Sequence, residues 1–211
     1  MKIPAFPVYL FDVDGTLTDS AQDICAAVRS VVNKLDYFPS DEFLRSYIGR
    51  HLDDLFLDLN PAFSKDEMAA MLVDYRTVYH SYNHSNTRLY PGVAETISKL
   101  GGRKSTATTK GTPTTRIVLE IFGLLPYFDH VQGTDGFPAK PQPDVIHKSL
   151  EIFGVDPSQC LMVGDAPADM EAGRNAGVKT CAVRYGYGKV EQMARFEPDY
   201  WIDDLRELLP G

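Results

Sequence analysis

Asp12 and Asp14, separated by one residue, close the apolar run Val8-Tyr9-Leu10-Phe11. Burying unpaired charge there is costly, and such breaks in local consistency are where function is expected. An Asx turn ending a strand accounts for one aspartate but not for two. The next residues, Gly15-Thr16, let backbone amides approach an anion closely. A second acidic pair, Asp165 and Asp169, follows the apolar run at 160–163. If the two strands are parallel, Asp165 emerges at the same sheet edge as Asp12. Three carboxylates meeting there need a cation, and hard oxygen ligands with open positions favour Mg²⁺. Asp169 also reads as a first-turn helix residue favoured by the dipole. Thr108 and Thr109 end a further strand candidate, and Lys140 lies in Ala139-Lys140-Pro141. A hydroxyl and an ammonium beside the acids complete a site for a tetrahedral oxyanion.

The elements that must position these groups follow from periodicity. Apolar runs at 8–11, 160–163 and 180–183 have the continuity of strands buried on both faces. Weaker strand candidates are 105–108, 130–132 and 200–202. Thr112-Pro113 predicts a helix start, with a stop at Gly123. Helices over 143–153 and 168–176 end at Gly154 and Gly177. From residue 88 onward strands and helices alternate, which predicts an α/β fold with a doubly wound parallel sheet.

Residues 19–86 differ. Ile24, Val28, Val31, Val32 and Leu35 mark one face of a helix opened by Asp19 or Ser20. Ser64 and Glu67 form a capping box before a second helical pattern. No strand is expected there. The economical division is a core of residues 1–17 and 88–211 interrupted by an all-helical insertion, residues 18–87.

The chain has 211 residues and a formal net charge of −8, with 44% hydrophobic and 24% charged residues. This is globular composition, and the acidity disfavours a polyphosphate partner, so nucleic-acid binding is not expected. Cys25, Cys160 and Cys181 are odd in number and widely spaced, which fits a reducing compartment. Pro4, Pro7 and Asp12 break the first apolar stretch, and no run spans a bilayer. A cytoplasmic protein without membrane association is expected.

Asp12-Val13-Asp14-Gly15-Thr16-Leu17, Thr108, Lys140 and Gly164-Asp165 with Asp169 resemble, in order, the four motifs of haloacid-dehalogenase-superfamily phosphatases. The match is nearest to the phosphoglycolate-phosphatase-like group, which carries a helical cap after the first motif. Tyr90-Pro91-Gly92-Val93 and Arg184-Tyr185-Gly186-Tyr187-Gly188 also resemble segments of that group. Thr109 stands where relatives often have asparagine, and Ala166 where many have serine. The resemblance implies a Rossmann-like core and Mg²⁺-dependent hydrolysis of a small phosphate monoester through an aspartyl-phosphate. Asp12 would be the nucleophile and Asp14 the proton donor and acceptor. Asp12, the Asp14 main-chain carbonyl, Asp165 and Asp169 would hold the metal. Thr108, Thr109 and Lys140 would bind the phosphoryl oxygens.

Rival readings differ in testable ways. A hexose phosphomutase shares all four motifs. A dehalogenase would lack the second acid, Asp14, and a phosphonate hydrolase needs a Schiff-base lysine that neither Lys34 nor Lys65 matches. A phospho-accepting receiver domain would lack the inserted helices. Within the insertion, Arg50 in Ile48-Gly49-Arg50-His51 either binds a substrate carboxylate or is a surface arginine. His80 and His84 have zinc-like spacing but no third ligand, which favours packing. Tyr75, Tyr79 and Tyr82 read as insertion packing, and Tyr185 and Tyr187 as candidates for the pocket mouth. Neither the particular monoester nor the oligomeric state is legible.

Overall fold

The computed structural model describes residues 2–210. Its centre is a parallel sheet of five strands: β1 (Val8–Phe11), β4 (Arg103–Thr106), β5 (Cys160–Gly164), β6 (Lys179–Val183) and β7 (Tyr200–Ile202). Their order is β4-β1-β5-β6-β7, with β1 paired to β4 and β5, and all pairings are parallel. Alternation along β1 serves both faces. Tyr9 and Phe11 join Leu161, Val163, Val118 and Leu119 in one buried cluster. Val8 and Leu10 join Met162, Val145, Ile146 and Ala172 in another. That two-sided demand explains why β1 is apolar at every position.

Helices cover both faces of this sheet. They are α5 (Val93–Lys99), α6 (Thr112–Ile121), α7 (Asp144–Phe153) and α8 (Pro167–Ala176), with the short α9 (Val190–Met193) near the end. Gly154 and Gly177 follow α7 and α8 in the left-handed conformation, as their positions in the sequence suggest. Between the first and second core strands lie α1 (Ala21–Val32), α2 (Asp41–Arg45), α3 (Leu52–Leu59) and α4 (Lys65–Ser81). These four helices have their own buried cluster, including Val28, Leu55, Phe56 and Met71. Ser64 caps α4 through the expected reciprocal bonds with Glu67. The chain enters and leaves the helical block through a minimal antiparallel pair, β2 (Thr18–Asp19) and β3 (Arg88–Leu89). Asp23 on α1 accepts from Asn86 and Thr87, so entry and exit are fastened a second time.

Several local expectations need correction. Residues 130–132 are not a strand. His130 N donates to Lys104 O at 3.2 Å, but the continuation runs through a side chain: Thr106 Oγ1 donates to Gln132 O and accepts from Gln132 N, both at 2.9 Å, so no main-chain ladder extends along 130–132. The strand expected at 105–108 is Arg103–Thr106, which leaves Thr108 and Thr109 in the loop beyond it. Gly111 rather than Thr112 stands at the N-cap of α6, and the Thr112 hydroxyl that would have capped it accepts instead from Gly133 N at 2.8 Å. Asp19, in the stretch expected to hold no strand, belongs to β2. Among the described residues no helix is long and apolar enough to cross a membrane.

Candidate active site

The loop after β1 turns sharply: the Leu17 and Thr18 amides both donate to Val13 O. This places Asp12 and Asp14, both buried, over the carboxyl ends of β1 and β5. Such an edge is where open α/β sheets bind ligands. Gly15 has φ +94°, and a Cβ there would overlap the Asp165 carboxylate, so both conformation and space demand glycine. Thr16, expected to contribute its amide, donates its hydroxyl to Asp165 Oδ1 at 2.9 Å. Tyr187 N donates to the other oxygen, Oδ2, at 2.8 Å.

The expected convergence of strand ends is present. Oxygen atoms of Asp12, Asp165 and Asp169 lie within 4.8 Å of one another, and all three residues are buried. Lys140 Nζ donates to Asp12 Oδ1 at 2.9 Å and to Asp169 Oδ1 at 2.5 Å. Asp169 also accepts from the Ala166 amide, so it combines a helix-capping role with the ion pair. Burial pushes the Asp12 carboxyl up to about 6 against the pull of Lys140. Burial, then the charges of Asp169 and Asp12, push Asp165 up to about 8. Burial alone would lower the Lys140 pKa, but the Asp12 and Asp169 charges outweigh it and raise it. Three buried hard oxygens with only one lysine among them form a donor set that suits a hard divalent cation.

Asp14 stands apart from this group. Ser20 Oγ donates to Asp14 Oδ1 at 2.6 Å, and Lys110 Nζ lies 3.1 Å from Asp14 Oδ2. Lys110 is the functional candidate that the sequence reading missed. It directly follows Thr108-Thr109, and that proximity was the available signal. It bonds the Tyr79 hydroxyl at 3.2 Å and sits 4.5 Å from the centre of that ring. Burial alone would lower its pKa, yet the Asp14 charge and further partners raise it, so it stays cationic.

Above these groups lies a cavity of about 110 Å³ between the sheet edge and the helical block. Asp12, Asp14, Thr108 and Lys110 line its floor, while Tyr47, Arg50, Tyr75, Arg76 and Tyr79 line the other side. The Thr108 hydroxyl accepts from the Lys110 amide at 3.3 Å. Thr109 is also on the wall, but its hydroxyl donates to Gly49 O of the helical block at 2.9 Å. Arg50 lies over the Tyr47 ring at 4.4 Å and pairs with Asp54 at 3.4 Å, half-exposed. His51 accepts from the Asp53 amide and starts α3.

Other aromatic and histidine candidates resolve differently. Tyr75 and Tyr79 stack at 5.5 Å, packing the helical block while also lining the cavity. His80 meets Thr114 at 3.2 Å, and His84 is buried with its ring edge-on to Tyr79. Among the described residues neither histidine belongs to a metal-holding group. Tyr185 and Tyr187 lie off the cavity wall: Tyr185 donates to Thr16 O, and Tyr187 grips the start of α1.

An open parallel sheet with this acidic centre at its strand ends defines a Rossmann-like α/β enzyme. A family model described as haloacid dehalogenase-like hydrolase matches residues 9–183. A phosphoglycolate phosphatase of Vibrio vulnificus is 33% identical over 94% of this chain and 92% of its own length. A pyrophosphatase PpaX of Bacillus velezensis is 34% identical over 95% and 93%. The solved structure of a haloacid dehalogenase-like family hydrolase from Streptococcus pneumoniae superposes with a TM-score of 0.85 at 26% identity, covering 96% of each chain. The chain belongs to the haloacid dehalogenase-like hydrolase family.

Proposed function

We propose that the protein is a Mg²⁺-dependent phosphatase that cleaves a small phosphate monoester through an aspartyl-phosphate on Asp12. The observation that carries this reading is the separation of the acids into two environments. Asp12 faces Lys140 and the metal-type carboxylates, whereas Asp14 is held apart by Ser20 and Lys110. Environments that differ in this way divide nucleophile from proton carrier.

A carboxylate oxygen of Asp12 attacks phosphorus as the bond to the leaving oxygen breaks. Asp14, which takes up a proton as the anionic substrate binds, gives it to that oxygen, then takes one from the water that attacks the phospho-aspartate, releasing phosphate and restoring Asp12. Thr108 and Lys140 donate to the phosphoryl oxygens, matching fixed donors to developing charge. Asp12, Asp165 and Asp169, with the Asp14 main-chain carbonyl, would hold Mg²⁺, which when bound supplies charge neutralisation and polarises a phosphoryl oxygen.

Residues 18–87 act in this reading as a cap over a core of 1–17 and 88–211. The cavity's 110 Å³ offers roughly ten water-sized positions, enough for a phosphoryl group and a short leaving group. Beyond Asp14 the lining supplies Lys110, Arg50 and Arg76, which suit a second anionic group on that leaving group. A phosphoglycolate-like compound has this form, in keeping with the name of the Vibrio vulnificus relative, while the Bacillus velezensis relative is named for pyrophosphate. The three buried free cysteines support a reducing, cytoplasmic setting.

The test is phosphate release from a panel of short monoesters with MgCl₂, repeated with chelator and with Asp12→Asn. Release that requires the metal and Asp12 is expected. Metal-independent release, or substantial turnover by Asp12→Asn, would overturn the reading, as would interconversion of hexose phosphates without release.

A further inference from the structure

The start of α1 departs from the usual rule for its residue types. Ser20 occupies the N-cap, yet its side chain makes no capping bond. Its hydroxyl is instead committed to Asp14 at 2.6 Å. A helix start deprived of its serine leaves amides in need of an acceptor. A distant core residue serves the outermost two amides of this start, not those further in that a capping serine reaches: the Tyr187 hydroxyl accepts from Ser20 N at 2.7 Å and Ala21 N at 3.0 Å, and donates to Asp19 Oδ1 at 2.8 Å.

The same residue is anchored at its other end to the metal-type cluster. Its amide donates to Asp165 Oδ2 at 2.8 Å. A Cβ at either flanking position, Gly186 or Gly188, would overlap Asp165, so the loop is moulded onto that residue. The ring packs against the helical block's own apolar cluster. Asp19 to Ala21 is where the chain passes from β2 into the helical block.

We infer that Tyr187 is a positioning residue that straps the root of the helical block to the Asp165 loop, and through Ser20 sets the orientation of Asp14. The inference rests on the reading of Asp14 as proton carrier. Without the phenol, the first turn of α1 frays and Ser20 no longer holds Asp14 on the cavity floor. Because Tyr187 lies off the cavity wall, substrate affinity is spared and the chemical step is not.

The test is a double-mutant cycle with Tyr187→Phe, Ser20→Ala and the pair, each checked for folding by circular dichroism. Tyr187→Phe retains the ring and the amide to Asp165. Its kcat should fall about tenfold, with KM changed by less than about twofold. Ser20→Ala should do the same, and the pair should fall no further than Ser20→Ala alone, since the phenol acts through that serine. Amide exchange at Ser20 and Ala21 should accelerate in Tyr187→Phe, a readout that needs neither substrate nor metal.

A folded Tyr187→Phe with wild-type kcat overturns the inference, even if its melting temperature drops, because a merely structural strap would do only that. Additive losses in the pair also overturn it. If Tyr187→Phe does not fold, an unchanged kcat in Ser20→Ala decides against it equally. Wild-type protein that hydrolyses no monoester refutes the reading of the reaction instead, and unchanged amide exchange in Tyr187→Phe then refutes the strap separately.

Discussion

The Lys140 ammonium donates to Asp12 Oδ1 at 2.9 Å, with both side chains almost wholly buried and 128 residues apart in the chain. A second bond, to Asp169, makes this lysine the only cation inside the acidic group among the described residues. Removing it strands two buried carboxylates. Lys140→Met should therefore destabilise the metal-free protein by about 3–5 kcal/mol, measured by urea unfolding with chelator present. Phosphate release should drop at least about a hundredfold, since the same ammonium is the proposed phosphoryl donor. A stable, active Lys140→Met would remove it from the site.

Asp12→Asn keeps the volume and removes the nucleophile. Turnover should fall by at least about a thousandfold while the circular dichroism and the melting curve keep their native form. The informative comparison is burst phosphorylation: wild type should label on an acid-stable, hydroxylamine-sensitive linkage, and the variant should not.

Metal and pH should act together on stability. Asp165 has a folded pKa raised to about 8 by burial and its acidic neighbours, above the ordinary carboxylate range. A raised acid favours folding while protonated, so its contribution is full below about pH 4 and is lost as pH climbs towards 8. A bound divalent cation offsets that loss by stabilising the ionised form. Saturating MgCl₂ should thus raise Tm more at pH 8 than at pH 5.5, as read by thermal unfolding with and without chelator. An equal shift at both values would count against the acidic group as the metal site.

Two cavity cations should differ in weight. Lys110 is buried between Asp14 and Tyr79, whereas Arg50 is half-exposed and already paired with Asp54. Charges act more strongly where water is excluded. Lys110→Met should lower kcat/KM by about ten- to a hundredfold, and Arg50→Ala should raise KM by less than about fivefold. Steady-state kinetics on one short anionic monoester would reverse this ranking if Arg50 were the main anchor.

Much of the site could be read from local violations of packing logic. Asp12, Asp14 and Asp165 stand out because acids rarely end apolar strands without a use for their charge, and the structure gathers Asp12 and Asp165 with Asp169. Lys140 was visible only through its order in the motif series, since a loop lysine alone is unremarkable. Ser20 was legible as a helix start but not as a partner of Asp14, and Tyr187 suggested a pocket mouth rather than a clasp. In both cases the decisive partner lies elsewhere: six residues away across a turn for Ser20, and more than 160 away for Tyr187. The strand expected at 130–132 failed for a similar reason, because a threonine hydroxyl from β4 supplied the bonds a neighbouring strand would have made.

Alternation, runs of apolar residues and turn chemistry therefore dictate an α/β sheet with helices inserted after its first strand, since these signals act over a few residues. The partnerships at the site are set by the strand order β4-β1-β5-β6-β7, which brings residues 12, 108 and 165 to one edge. Hydrogen bonds and charge pairs extend only a few ångströms. Whether Lys110 meets the Tyr79 hydroxyl, or Thr109 gives its own to Gly49, depended on how the helical block came to rest on the sheet.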